Sequence, residues 1–244
     1  MVIFEKLVNK IQLRFKDRVN AANILSAALK DLLDRDELKN SLVLGIPRGG
    51  IIVADIVVSK LASKHFDIII PRKMAIPHNE EVAFGAVMED GTAYINKELI
   101  SSLKITQDYI ESEIQRQLLE IKRRGMTYRK RESMLREYKQ IFLSENIRNT
   151  ILVDDGVATG ATLIVAAKWI KQNFKSTKII VAATVAPRET VETIQKEIDP
   201  GDLVEVTIKP DKRNFKYVGQ FYKDFDPVVD EQVIQIMNRR GLLR

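Results

Sequence analysis

Residues 150 to 174 constrain the fold of this chain more than any other stretch. The apolar run Thr150-Ile151-Leu152-Val153 leads directly into Asp154-Asp155-Gly156-Val157-Ala158-Thr159-Gly160-Ala161-Thr162, and Ala161 to Phe174 then spaces its apolar residues as a helix does. A run of that length and branching has the character of a strand buried on both faces, which belongs in a parallel sheet covered by helices. The loop after it therefore sits at a strand's carboxyl end, where ligands bind in open α/β sheets. Backbone N–H groups exposed at a helix start favour an anion, a phosphate above all. Gly156 and Gly160 permit the tight turn, and Thr159 and Thr162 add hydroxyl donors. Asp154 and Asp155 would repel a phosphate if they pointed into the cradle. Their expected role is to accept hydrogen bonds from neutral hydroxyls beside it, as in a ribose diol. A phosphate next to a diol describes ribose 5-phosphate. Two alternatives stand beside this reading: an ordinary strand-to-helix turn with acids at the N-cap, and a nucleotide hydrolase with both aspartates near magnesium. No G-x-x-x-x-G-K-[ST] loop exists to support the second.

The rest of the chain repeats the strand-then-helix pattern. A helical period over Arg18 to Leu33 breaks at Asp34-Arg35-Asp36, ahead of a strand at Leu42 to Ile46. Pro47-Arg48-Gly49-Gly50 then turns into a helix over Ile51 to Ser63. A second strand, Asp67 to Ile70, ends in Pro71-Arg72-Lys73, so two strands deliver basic groups to the rim that carries Asp154. Val82 to Glu89 and Thr92 to Asn96, joined at Asp90-Gly91, predict a β-hairpin. From Lys97 to about Tyr138 the pattern is helical and highly charged. Further strands are predicted at Lys178 to Val185 and Leu203 to Ile208, with helices over Pro187 to Ile198 and Pro227 to Arg240. This alternation predicts an α/β fold with a mostly parallel sheet flanked by helices, carrying a β-hairpin and a charged helical insertion.

Composition narrows the function classes. At 244 residues and 45% hydrophobic, the chain can bury a substantial core. It has no Cys and two His, which removes disulfides, thiol nucleophiles, zinc-thiolate sites and His-based metal centres, and fits a reducing cytosol. The start, Met1 to Lys6, lacks a signal peptide's apolar core, and no run reaches the roughly 18 apolar residues of a membrane span. The expectation is a soluble cytoplasmic protein. A net charge of +6 suits either nucleic acid or a multiply anionic small substrate.

The Asp154 loop resembles the hallmark loop of the type I phosphoribosyltransferases, in which hydrophobic residues, two acids and a run of small and hydroxyl residues bind phosphoribosyl pyrophosphate (PRPP). The family carries an aliphatic residue or serine after the two acids; this chain has Gly156. Ile46-Pro47-Arg48-Gly49-Gly50 resembles the family's pyrophosphate loop, whose backbone presents N–H groups to the diphosphate and often includes a cis peptide. An exposed arginine on a Gly-Gly connection is the plainer reading. Arg72-Lys73 through Val87, with Phe15-Lys16-Asp17-Arg18, Arg123 to Arg129, Val185 to Val191, Val218 to Phe225 and Asp230-Glu231, resembles one largely uncharacterised branch, so the resemblance covers nearly the whole chain. Only the Asp154 loop is highly specific alone.

The resemblance implies one phosphoribosyltransferase-like domain over 1–244, with 97–148 as a helical insertion or lid and 209–244 as a C-terminal hood and helix. It implies magnesium-dependent transfer of 5-phosphoribosyl from PRPP to a nitrogenous base, purine or pyrimidine, with release of pyrophosphate. Asp154 and Asp155 would hold the ribose as the catalytic pair. Gly156, Val157, Ala158, Thr159, Gly160 and Thr162 would bind the 5-phosphate, and Arg48, Gly49, Gly50, Arg72 and Lys73 the pyrophosphate. Mg2+ would sit mainly on substrate oxygens and water. Phe221 or Tyr222 would stack on the base, although core packing explains these aromatics equally well. Lone Trp169 reads as core, and His78 as a surface or hydrogen-bonding residue. Gly125, among Arg123, Arg124, Arg129 and Lys130, suits a lid hinge; a solvated helical hairpin or a dimer arm are the alternatives. A homodimer or higher oligomer is usual for the family. The competing functions are a non-catalytic PRPP or nucleotide sensor and a nucleic-acid module, the latter disfavoured because Tyr128 is the only aromatic in the basic run.

Overall fold

The computed structural model describes residues 14–77, 79–131, 133–174 and 177–243, so the Met1 to Lys6 segment and His78 lie outside the described residues. Helix α1 (Arg18–Leu32) starts at Asp17, whose carboxylate caps the Asn20 amide at 2.7 Å. The predicted break after it holds a short helix α2 (Arg35–Lys39), because Asp34 and Glu37 form a capping box. Then follow β1 (Ser41–Gly45), α3 (Gly49–Leu61) and β2 (His65–Ile68). Three further strands, β3 (Arg72–Ile76), β4 (Asn79–Val87) and β5 (Ala93–Ile95), precede three helices, α4 (Lys97–Leu103), α5 (Gln107–Arg129) and α6 (Leu135–Ser144). The chain continues through β6 (Asn149–Asp154), α7 (Ala161–Asn173), β7 (Lys178–Val185), α8 (Arg188–Glu197), β8 (Leu203–Ile208) and α9 (Asp230–Arg239).

The main sheet has the order β2-β1-β6-β7-β8 and all its pairs are parallel. Pleating sends successive side chains to opposite faces. Val43, Ile151, Val153, Ile180 and Ala182 pack beneath α1, α3 and α9. Leu42, Leu44, Leu152, Ile179, Val181 and Ala183 pack against α7 and α8, with fully buried Trp169 among them. The strand order reverses between β1 and β6. Their following connections lead to helices on opposite faces and open a crevice at the carboxyl end, the position ligands occupy in such sheets.

The basic pair after β2 departs from expectation. Arg72 and Lys73 do not end a strand of the main sheet; they begin β3 in a separate antiparallel sheet, β3-β4-β5. Pro71 lacks an amide for the parallel ladder, and Arg72 instead pairs with Val87 of β4. The predicted hairpin is present, with Gly91 at φ +87° and its amide on Met88 O. The charged segment after it forms three helices, and α5 runs unbroken through Gly125, which is buried and helical, so no hinge is built there. Tyr128 is fully buried and offers no face to a nucleobase. No helix among the described residues is long and apolar enough to cross a membrane.

Candidate active site

The loops after β1 and β6 meet at the crevice. Asp154 ends β6, and its Oδ1 accepts the Asp155 amide at 2.8 Å. Burial raises the Asp154 carboxyl well above the usual carboxylate range, the neighbouring Asp155 adds to the shift, and Lys73 opposes it. Asp155 is anchored twice. Its carbonyl accepts from the Thr184 hydroxyl at 2.6 Å and the Tyr222 hydroxyl at 2.7 Å. Its carboxylate Oδ2 lies 2.6 Å from Arg18 Nε.

The two glycines after Arg48 are required by close approach. A Cβ on Gly49 would fall 1.8 Å from Asp155 Oδ2, and one on Gly50 would fall 2.8 Å from Val153 O. The Pro47–Arg48 peptide is cis, the feature the pyrophosphate-loop resemblance implied. Arg48 points toward α9, with Nη1 3.5 Å from Asp230 Oδ1. That carboxylate also accepts the Tyr128 hydroxyl at 2.5 Å, and this bond, with Arg48 and Arg123, holds Asp230 below its ordinary value.

Beyond Asp155 the chain wraps the start of α7. Gly156 could not carry a side chain, because its Cβ would meet Val218 Cγ1 at 2.1 Å; Val218 supplies the aliphatic group that the loop lacks. Val157 turns inward, buried, and donates its amide to Val185 O at 2.8 Å. Ala158 and Thr159 are exposed, and Gly160 takes φ +82° as the N-cap of α7 without a side-chain cap. The amides of Ala158, Thr159 and Gly160 consequently have no acceptor among the described residues. Thr162 is half-buried in the first turn. Beside Thr159 lies a cavity of about 370 Å³, reaching from Tyr94 and Asn96 to Lys212 and Phe215.

Arg72 and Lys73 project to opposite sides of β3, as successive strand residues must. Lys73 is exposed, and its charge reaches Asp154. Arg72 is half-buried, with Nε 3.0 Å from Gln117 Oε1 of α5. Burial lowers its pKa, and Arg124, Arg116 and Arg123 push in the same direction against Glu120. Tyr222 is sealed into a small core with Phe15 and Val185, so it supports Asp155 rather than presenting a ring face. Phe221 is half-buried and stacks on Phe215 with centroids 5.8 Å apart.

A family model for the phosphoribosyl transferase domain matches residues 13–211. The chain belongs to that family. Among related phosphoribosyl transferase sequences, "Putative phosphoribosyl transferase Rv0571c" of Mycobacterium tuberculosis (strain ATCC 25618 / H37Rv) is 30% identical over 225 residues. The match covers 92% of this chain and 46% of the relative, so the chain spans about half the length of the curated relatives it matches. Its counterpart MT0597 from strain CDC 1551 / Oshkosh gives the same figures. In three dimensions the chain is similar to TT1426 from Thermus thermophilus, at TM-score 0.67 and 33% identity, covering 93% of this chain and 99% of that one.

The sequence assigns Arg18, Thr184, Val218 and Asp230 no individual role, and Phe225, one of the C-terminal aromatics that could have offered a stacking face, instead lies under the Arg18 guanidinium. Phe15 to Arg18 and Asp230-Glu231 stand out only through the family resemblance, and no local pattern tells which loop their side chains reach.

Proposed function

We propose that this phosphoribosyl transferase domain moves the 5-phosphoribosyl group of PRPP to a nitrogenous base and releases pyrophosphate. The observation that carries this reading is the juxtaposition at the crevice: the Gly49-Gly50 turn packs directly on Asp155, and three amides with no acceptor among the described residues follow within five residues at a helix start without a side-chain cap. The open amides of Ala158, Thr159 and Gly160, with the Thr159 and Thr162 hydroxyls, suit the 5-phosphate. Asp154 and Asp155 suit the ribose hydroxyls. Arg48, Lys73 and the backbone of Gly49 and Gly50 suit the pyrophosphate, with Arg72 adding positive potential behind them. Departure of pyrophosphate leaves C1 of the ribose oxocarbenium-like, so the protein's task is positioning and charge stabilisation rather than covalent chemistry.

Magnesium fits this donor set as a substrate-borne ion. Among the described residues no group of three or more His, Asp or Glu converges, and the two acids at the crevice include one already engaged by Arg18. Bound with PRPP, the ion would neutralise negative charge on the departing pyrophosphate. Asp154, raised by burial and by Asp155, loses its proton more readily as cations gather beside it. Phe221, half-exposed beside Phe215, is the better candidate for a base-stacking face. We further propose that residues 209–244 form the hood over that base.

The test is thermal stability with PRPP, with and without magnesium, followed by a screen of bases for pyrophosphate release. A ligand at about 100 times its dissociation constant stabilises by roughly 2.7 kcal/mol. Magnesium-dependent stabilisation by PRPP is the expected result. No shift, with calorimetry also silent, overturns the reading and favours the polynucleotide alternative, whereas a shift with no base releasing pyrophosphate favours the sensor.

A further inference from the structure

Arg18 has no part in the chemistry described so far, yet its side chain is restrained from three directions. Its Nε lies 2.6 Å from Asp155 Oδ2, its Nη1 donates to Asp226 O at 2.8 Å, and its guanidinium sits 3.8 Å from the centroid of the Phe225 ring. The helix that carries it does not need these contacts. Helix α1 is capped by Asp17 and anchored through Ala21, Ala22, Leu25 and Leu29. Neither partner of the ion pair is open to solvent: the side chains of Arg18 and Asp155 are 12% and 13% exposed. An arginine this fully engaged is poorly placed to greet an incoming substrate. It is well placed to hold a neighbour still.

Phe15 and Lys16, just before α1, are tied to the hood as well. The amide of Phe15 donates to Phe221 O, and Lys223 and Asp224 donate back to Phe15 O and Lys16 O, at 2.8, 2.8 and 2.9 Å. Phe15 and Tyr222 rings pack with centroids 5.1 Å apart. Asp155 therefore sits between two bodies. Gly49 presses on its carboxylate from the pyrophosphate loop, while Arg18, Tyr222 and Thr184 hold it from the other side.

We propose that Arg18 is a positioning residue for Asp155: it clamps the carboxylate against the pyrophosphate loop and, being itself held by Phe225 and Asp226, makes ribose binding depend on a seated hood. The inference rests on the reading of Asp155 as a ribose-binding acid. A guanidinium against one of two adjacent acids also offsets part of the charge that would otherwise push them apart. In consequence the hood acts on the ribose site through Arg18, without touching the substrate there.

The test is calorimetric binding of PRPP with magnesium to the wild-type chain, Arg18→Gln, Arg18→Lys, Asp155→Asn and the Arg18→Gln/Asp155→Asn double variant. Arg18→Gln is expected to weaken binding about tenfold, the size of coupling that contacting charged residues show. Arg18→Lys recovers part of the loss, because an ammonium restores the charge and not the planar stack on Phe225. The double variant binds like Asp155→Asn alone, since a residue acting through another has nothing left to act on. If Arg18→Gln fails to fold, Phe225→Leu and Arg18→Lys carry the test, each with a smaller loss in the same direction. Binding by the wild type with unchanged affinity in these variants, or additive losses in the double variant, overturns the proposal alone. No binding by the wild type overturns the ribose-site reading and this inference with it.

Discussion

Gly49→Ala is the substitution whose outcome the geometry constrains most tightly. The added Cβ would lie 1.8 Å from Asp155 Oδ2, 2.4 Å from Cγ and 2.8 Å from Oδ1, so it overlaps the whole carboxylate rather than the tip of a mobile chain. Relief requires movement of more than an ångström. The loop is tightly packed at the next residue as well, where a Cβ on Gly50 would fall 2.8 Å from Val153 O. The carboxylate cannot swing aside without leaving Arg18 Nε at 2.6 Å. Overpacking of this kind costs about 1–3 kcal/mol, and losing a charge-assisted hydrogen bond adds roughly 1.5–3 kcal/mol. Because relief takes one route or a mixture of both, we expect destabilisation of about 2–4 kcal/mol, and at roughly 2–4 °C per kcal/mol for a chain of this size a fall in Tm of about 4–16 °C. PRPP affinity falls at least about tenfold, since 1.4 kcal/mol of misplacement suffices for that. Urea denaturation and calorimetry measure both quantities. Gly201→Ala is the control, as its Cβ would meet nothing within 4 Å. A Gly49→Ala protein within about 0.5 kcal/mol of wild type and with unchanged PRPP affinity refutes the packing argument.

Tyr222→Phe keeps the buried ring and removes the hydroxyl that donates to Asp155 O, so it should cost about 1 kcal/mol in denaturation and weaken PRPP less than Gly49→Ala does. Equal stability and affinity would mean that Thr184 alone suffices to hold that carbonyl. Asp67 supplies a pH test. Burial pushes its carboxyl up to about 6, against the Arg129 guanidinium, whose Nε is 3.1 Å from Oδ1. The folded value lies above the unfolded one of about 3.9, so the folded state binds the extra proton. The stabilisation from this group is complete below about pH 4 and is lost as pH rises toward 6, by at most about 3 kcal/mol. Unfolding free energies measured across that window should fall less steeply in Asp67→Asn; an unchanged slope would rule out Asp67 as its source.

The backbone plan was legible because its signals are local. An apolar run followed by a helical period marks each strand and helix, and Asp90-Gly91 marks the hairpin turn. The same holds for the small-residue loop proposed as a phosphate cradle, whose glycines and threonines all fall between Gly156 and Thr162. Arg72 and Lys73 were misplaced because a short basic segment after Pro71 carries no sign of which sheet it joins; the antiparallel partner Val87 decides that. Gly125 looked like a hinge, yet the buried face of α5 around Ile121 and Tyr128 carries the helix through it.

By itself, the sequence determined the alternating α/β order, the two acids at a strand end and the small-residue loop beyond them. Only the tertiary structure decided which side chains those loops meet. The Arg18–Asp155 pair spans 137 residues and the Tyr128–Asp230 bond 102. Val218 fills the space that Gly156 leaves, and Gly49 owes its identity to a carboxylate more than a hundred positions away. Periodicity records how a segment presents itself to a sheet or a core. Contacts across the chain follow from strand order and the crevice where that order reverses, and no local pattern encodes them.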